Sequence, residues 1–188
     1  MHRVAVALTL VTLSLSLPSL SLASDAKEEA KTRFEKGVSL FKEGDFEAAL
    51  VEFRAAYKAK PHFAVRYNVG ICLYKLHRYS EAAKELHAYL QEGGKKVPKD
   101  QKKEVEEILK ELESLVGELN VSSNVDGAEI FVDGEYKDKT PLMFPIPMDV
   151  GEHEVELHAD GYQPVAQKVE VPGGSVVDVE MTLKQVQQ

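Results

Sequence analysis

Cys72 is the single cysteine, and a cysteine thiolate can act as a nucleophile, a redox group or a metal ligand. It lies between Ile71 and Leu73 within a helical pattern, and no histidine partner is evident. This setting favours a small buried hydrophobic side chain, with a redox or catalytic thiol as the alternative. One cysteine cannot close an intramolecular disulfide, so packing must stabilise the fold.

Histidines and turn aspartates are the other side chains that could bind metal ions: His62, His77, His87, His153, His158, Asp126, Asp133 and Asp138. The first three histidines fall in different helices or turns, and the last two lie five residues apart, on opposite faces of a strand. The aspartates could gather around calcium but lack EF-hand spacing, and turn aspartates usually serve backbone geometry. We therefore predict no metal site and no cofactor.

Catalytic motifs are missing from the sequence. There is no nucleophile elbow, phosphate-cradling glycine loop, metalloprotease helix or identifiable acid–base pair. We predict a protein that is not an enzyme and has no catalytic residues. A hydrolase whose polar residues cluster only in the fold is an alternative.

The N-terminus has the features of a secretory signal peptide. His2 and Arg3 precede an uncharged stretch over residues 4–24, and the small residues Ser21 and Ala23 occupy the −3 and −1 positions of a cleavage site. We expect a signal peptide over residues 1–23, cleavage after Ala23, and a periplasmic or secreted mature protein. The alternative is an uncleaved anchor, although serines and a proline make the stretch a poor bilayer span.

Charge is shared unequally along the chain. The net charge of −8 becomes about −9 when residues 1–23, with Arg3, are removed. Residues 24–117 carry 18 basic and 17 acidic side chains, whereas residues 118–188 carry 4 and 14. The asymmetry indicates two domains, and the acidic half argues against nucleic acid as a partner because phosphates would be repelled.

A lysine cluster stands out in the first half: Lys95, Lys96, Lys99, Lys102 and Lys103. These side chains could meet an anionic lipid, a glycan or the acidic second half. A solvated helix face is the alternative.

The first half is predicted to be helical, because its apolar residues recur at three- and four-residue spacing. A motif of Arg, aromatic, Gly, Leu, aromatic and Lys begins at Arg33 and returns at Arg66, a period of 33 residues. Each unit should form helix, tight turn and helix, and Gly37 and Gly70 should let the paired helices approach closely. A further apolar stripe predicts a capping helix over residues 99–116 that ends at Gly117.

Several positions match the Gly, Ala, aromatic and Pro positions of the tetratricopeptide repeat: Gly37, Ala49, Phe53 and Pro61. Residues 24–117 therefore resemble a short array of two degenerate repeats and a capping helix. In the second unit, Leu86 stands at an aromatic position and Tyr89 at a small one. Arg33 and Arg66 occupy a position that the family fills with large apolar residues.

The resemblance implies a concave face that binds a protein or peptide partner, with Asn68 holding the peptide backbone. The residues that it assigns to this face are Phe34, Val38, Phe41, Tyr67, Asn68, Ile71, Tyr74 and Lys75. The alternative is that the same stripe is buried against the terminal helix or against another copy in a homo-oligomer.

The second half is predicted to be a small antiparallel β-sandwich, since apolar and polar residues alternate over residues 154–157, 169–171 and 177–183. Turn signals separate these runs at Asp126-Gly127, Asp133-Gly134, Asp160-Gly161 and Pro172-Gly173-Gly174. The fold class is thus α+β with two domains, helices over residues 24–117 and strands over residues 118–188.

An ordered set of markers in this half resembles the PEGA domain: Gly127-Ala128, Asp133-Gly134, Thr140-Pro141, Gly151 with His153, and Gly161-Tyr162. The resemblance implies a compact β module of bacterial envelope and surface proteins that serves attachment or spacing. We therefore expect an exported scaffold, membrane-proximal but not spanning the membrane after cleavage. The alternative is a glycan or cell-wall binding protein in which Tyr136 and Tyr162 stack on sugars.

Overall fold

The computed structural model describes residues 19–187, with side chains from Asp25 onward. The predicted signal peptide lies outside the described residues, apart from residues 19–23 at the start of the first helix. The helices are α1 (Ser19–Glu43), α2 (Phe46–Ala59), α3 (Phe63–Lys75), α4 (Tyr79–Gly93) and α5 (Lys99–Leu112), with a 3₁₀ turn at Gly94–Lys96. No helix of this described part is both long and apolar enough to cross a membrane.

The helices form two hairpins, α1 with α2 and α3 with α4, and the glycines explain how closely the helices pack. A Cβ atom at Gly37 would lie 2.8 Å from the ring of Phe53, and one at Gly70 would lie 2.7 Å from the side chain of Leu86. The two contacts are equivalent, because Gly70 follows Gly37 and Leu86 follows Phe53 at the same 33-residue period. The predicted close approach of the paired helices is therefore confirmed.

Arg33 and Arg66 make the same ion pair in each hairpin. Arg33 Nη1 donates to Glu52 Oε2 at 3.1 Å, and Arg66 Nη1 donates to Glu85 Oε2 at 2.7 Å. Glu52 is buried and also accepts a hydrogen bond from Lys36, which is the main reason why the pKa of Glu52 is lowered. Each hairpin thus has a charged pair where its two helices meet. The arginine makes this ion pair at a position that large apolar residues fill in the tetratricopeptide repeat.

The capping helix is shorter than predicted. It ends at Leu112, and Val116 already belongs to the first strand. The reason is strand pairing, because Val116 and Gly117 lie opposite Asp149 and Met148 in a β ladder. At Gly117 the chain also passes close to the turn at Pro172, where a Cβ atom would lie 2.4 Å from the carbonyl oxygen. Residues 113–116 therefore leave the helix, while Leu115 still packs on the helical core.

The second domain, described as far as residue 187, contains nine strands: β1 (Val116–Ser123), β2 (Glu129–Val132), β3 (Glu135–Lys139), β4 (Ile146–Asp149), β5 (Gly151–His158), β6 (Tyr162–Gln163), β7 (Val165–Val171), β8 (Val176–Met181) and β9 (Lys184–Gln185). They form sheets in the orders β4-β1-β8, β3-β2-β5-β7 and β6-β9. The two larger sheets share one core, to which Leu119, Ile130 and Leu157 contribute fully buried side chains.

Over residues 19–187, the α+β layout of five helices followed by strands is confirmed, with one difference in strand pairing. β1 and β8 pair in parallel, from Glu118 opposite Val176 to Ser123 opposite Met181. The other pairings are antiparallel. Alternation along β8 fixes which side chains are buried, but it does not fix the direction of the neighbouring strand, so the sequence could not reveal this pairing.

The two domains meet at the N-terminus of α4. In the first hairpin, Asp45 caps α2 by accepting from the Ala48 amide at 3.0 Å. The equivalent residue before α4 is Arg78, whose side chain makes no capping hydrogen bond. Asp149 of β4 takes its place, with Oδ1 accepting from the Ser80 amide at 2.5 Å. The β domain thus supplies the cap that the second repeat lacks.

Replacing Asp149 with Ala should destabilise the protein by about 1 kcal/mol, because the orphan amide of Ser80 loses its acceptor. The Ser80 amide should also exchange with solvent faster, which hydrogen-exchange NMR measures. Asp149→Asn is the matched control, since asparagine caps helices nearly as well. Unchanged exchange at Ser80 in the Ala variant would show that this contact does not hold the domains together.

Candidate functional site

The eight residues predicted to form a binding face lie on one side of α1 and α3. Phe34, Val38 and Phe41 come from α1, and the other five come from α3. Their apolar side chains are half-buried, whereas Lys75 is exposed. Phe34 packs on Phe53 with ring centroids 5.4 Å apart, so α1 is anchored to the core through this face.

Helix α5 lies against the α3 part of the face. The Tyr67 hydroxyl donates to Glu104 at 3.1 Å, and the Tyr74 hydroxyl donates to Glu111 at 2.9 Å. The two tyrosines and the two glutamates are each seven residues apart, so α3 and α5 stay in register over two turns. Burial, followed by the bond to Glu104, raises the pKa of Tyr67 to about 12, and the bond to Glu111 is the main cause that raises the pKa of Tyr74. Both hydroxyls are therefore neutral donors.

Beyond this contact the face opens into a cavity of about 310 Å³, which we call the aromatic recess. Its lining residues are Phe34, Ala64, Tyr67, Asn68, Tyr89 and Gln101. The rings of Tyr67 and Tyr89 are 5.5 Å apart, and the Tyr89 hydroxyl donates to Gln101 Oε1 at 2.9 Å. Aromatic rings and two amides, with no charged lining residue, suit an uncharged apolar group.

Three of the eight predicted residues therefore meet at the recess: Phe34, Tyr67 and Asn68. Val38, Phe41, Ile71, Tyr74 and Lys75 do not line it. Val38, Phe41 and Tyr74 pack on the helical core together with Ile108 of α5. Ile71 packs on the buried cluster around Tyr89, and the Lys75 ammonium lies 5.7 Å from the ring centroid of Tyr74.

Three lining residues were missed by the sequence analysis: Ala64, Tyr89 and Gln101. The sequence did single out Tyr89, because it occupies a position that is usually a small residue in the tetratricopeptide repeat. Its ring now closes the back of the recess and is only 1% exposed. Ala64 lies one turn before Asn68 on α3, so helical spacing could have placed it on the same face. Gln101 carried no signal, since its place depends on how α5 packs against α3.

Cys72 lies in the core of the helical domain, with none of its surface exposed. Burial raises the pKa of its thiol to about 12. The thiol is therefore neutral, as suits a small hydrophobic side chain.

His153 joins two turns of the β domain to the helical contact. Its Nδ1 lies 2.7 Å from Asp133 Oδ2, and its Nε2 lies 2.8 Å from the carbonyl oxygen of Asp149, the residue that caps α4. Both partners are acceptors, so the ring satisfies both only when it is protonated. Burial lowers the pKa of His153, but the bonds to Asp133 and Asp149 raise it overall. Within residues 25–187, no cluster of three or more His, Cys, Asp or Glu side chains could hold a metal ion.

The stabilisation that His153 provides should depend on pH. Its folded pKa is raised, so the contribution is complete below the unfolded pKa of about 6.5 and is lost as the pH rises through the folded pKa. We expect the free-energy difference of unfolding between the native chain and His153→Gln to shrink as the pH rises above about 6.5 and through the folded pKa. Denaturant titrations at each pH measure it. A difference that grows with pH would contradict this assignment.

The two tyrosines considered for glycan binding lie in different grooves. Tyr162 lines a groove of about 590 Å³ with Asp126, His158 and Asp160. Tyr136 lines a groove of about 420 Å³ between β3 and α4, beside the exposed side chains of Met143 and Phe144. They cannot stack on one sugar ring together.

Comparison with known families finds a match in the second domain. Residues 116–187, from the first residue of β1 onward, match the PEGA domain model. The resemblance carried by Gly127-Ala128 and the downstream turn markers is therefore confirmed. The PEGA domain is not known as a catalytic domain. No curated protein matches the chain.

Proposed function

We propose that the protein is an exported, non-enzymatic scaffold of the bacterial cell envelope. Its helical domain is a tetratricopeptide-like array that holds an extended segment of a partner protein, and its PEGA domain ties the complex to another envelope component. The aromatic recess is the observation that carries this proposal.

The recess supports one mode of binding. Its rings of Phe34, Tyr67 and Tyr89 suit a single apolar side chain of the segment, and the amide of Asn68 can both donate to and accept from the segment's backbone. Asn68 Nδ2 donates to the Ala64 carbonyl at 3.2 Å, which orients the amide along the rim. The bonds of Tyr67 and Tyr74 to α5 hold the recess open before the partner arrives, and this reduces the ordering that binding requires.

Site-directed photo-cross-linking tests the proposal in cells that export the protein. Benzoylphenylalanine replaces Lys75, which is exposed on the same face of α3 but does not line the recess, so the cavity stays free for the segment. The matched control replaces Val51, which is 64% exposed on α2. We expect Lys75→benzoylphenylalanine to cross-link one protein through an extended segment, while Val51→benzoylphenylalanine does not. The same products from both positions, or none from position 75, would contradict the proposal.

A glycan-binding function is the second candidate, and the Tyr162 groove favours it. That groove combines an aromatic ring with carboxylates that can bond to hydroxyl groups. Affinity for envelope polysaccharide that is lost in Tyr162→Ala but retained in Tyr136→Ala would support it.

A further inference from the structure

We infer that one end of the helical domain, which we call the lysine end, binds an anionic lipid bilayer surface. The lysine end consists of Lys58, Lys60, Lys95, Lys96, Lys99, Lys102 and Lys103, all of them exposed. None of these lysines lines the aromatic recess, although Gln101 of the recess lies between Lys99 and Lys102. The inference therefore does not depend on the partner segment.

The fold gathers these lysines from segments that are apart in sequence. They lie at the end of α2 and the loop after it, in the 3₁₀ turn after α4, and in the first turns of α5. The start of α3 packs against the end of α4, because a Cβ atom at Gly93 would lie 2.7 Å from the ring of Phe63. This contact brings Lys58 and Lys60 to the same end as the lysines of the 95–103 segment.

The lysines of this end outnumber the carboxylates beside them. Of the seven lysines, only Lys102 and Lys103 have an acidic partner within 4.0 Å among the described residues: Glu106 at 3.6 Å and Glu107 at 3.8 Å. Glu92 is paired with Arg66 at 2.9 Å, whereas Glu104, whose partner Tyr67 is neutral, and the exposed Asp100 keep their negative charges. Seven lysines thus face four carboxylates of this segment, so the surface keeps an excess of positive charge.

The acidic domain lies at the opposite end of the helices. It docks on the N-terminus of α4 through Asp149, whereas the lysine end follows the C-terminus of α4. The β domain, with 4 basic and 14 acidic side chains over residues 118–188, is therefore held away from the lysines. Near an anionic surface this separation orients the molecule, with the lysine end towards the surface and the PEGA domain away from it.

The chemistry of the lysine end suits lipid headgroups. All seven cations are lysines, which are point charges on flexible stems, whereas fixed recognition of one phosphate usually employs the planar fork of arginine. Clusters of four to eight basic residues beside a membrane are attracted by anionic headgroups without directional contacts.

Vesicle sedimentation of the full chain tests the inference. The measured quantity is the ratio of partition coefficients between phosphatidylcholine vesicles with and without phosphatidylglycerol, so any uncharged contribution of residues 1–24 cancels. The combined substitution Lys95→Gln, Lys96→Gln and Lys99→Gln should lower this ratio by roughly 100-fold, about fivefold for each lysine. The control Lys139→Gln, Lys168→Gln and Lys184→Gln makes the same change in net charge on the acidic domain and should alter the ratio less than about twofold.

Two further measurements decide between partners. Raising the salt concentration from about 0.1 to about 0.5 M should abolish the preference for phosphatidylglycerol. Dextran sulfate, a soluble polyanion, should compete weakly at equal charge concentration. Tight binding to dextran sulfate with no preference for phosphatidylglycerol would overturn the inference in favour of a soluble anionic polymer. An equal fall of the partition ratio in both triple variants would also overturn it, because net charge alone would then explain the binding.

Discussion

Replacing Ala64 with Trp should weaken binding of the partner segment by at least about 30-fold. Ala64 lies on the rim of the aromatic recess and its side chain is exposed, so the indole can enter the cavity without removing a core contact. A filled recess cannot accept the segment's apolar side chain, and such anchors carry most of the binding energy of an interface. Fluorescence anisotropy of the segment identified by cross-linking measures the affinity.

The control for this variant is Val51→Trp, which adds the same ring to an exposed position on α2. We expect it to change the affinity by less than about twofold. Both variants should unfold at the same denaturant concentration as the native chain. Equal affinity of Ala64→Trp and the native chain would mean that the segment binds outside the recess.

Replacing Gly173 with Ala should have the largest effect on stability, a loss of about 3 kcal/mol. A Cβ atom there would lie 2.1 Å from the carbonyl oxygen of Ser114, which is backbone and cannot move aside as a flexible side chain could. This turn also bonds to the start of β1, with the Gly174 amide donating to the Val116 carbonyl at 2.8 Å. The clash therefore disturbs the junction between α5 and β1.

Thermal unfolding followed by circular dichroism measures this effect. We expect Tm to fall by about 6–12 °C for a chain of this size. Ser175→Ala is the matched control in the same turn, because the Ser175 hydroxyl makes only a 3.5 Å contact with Gly173. A Gly173→Ala variant with the same Tm as the native chain would show that the turn can rearrange at little cost in stability, and that the junction between α5 and β1 is not closely packed.

The elements of both domains follow from local patterns, which explains why the sequence predicted them. The 33-residue repeat placed the hairpins, since Gly37 and Gly70 must face bulky side chains in the paired helix. The turn signals also predicted where strands end: Asp133 and Gly134 both have positive φ, and residues of that type tolerate it. Such features depend on neighbours within a few turns or one hairpin.

The features that the sequence did not predict depend on contacts between distant segments. The cap on α4 comes from Asp149, 69 residues after Ser80. The aromatic recess exists because α5 runs alongside α3 at Tyr67 and Tyr74, whose partners are 37 residues away, and leaves the side near Phe34 uncovered. The periodicity of apolar residues does not reveal contacts between segments so far apart in sequence. It therefore could not show whether the stripe of aromatic residues forms a groove or packs under a helix.

The most direct test of the proposed function is an NMR measurement on the full chain with the cross-linked partner segment bound. Nuclear Overhauser effects report which protons lie close together. The proposal predicts contacts between one apolar side chain of the segment and the rings of Phe34 and Tyr67, with shifts of the Asn68 side-chain amide. Contacts confined to the Tyr162 groove, or to the exposed side chains of Met143 and Phe144, would contradict the claim that the helical domain holds the partner.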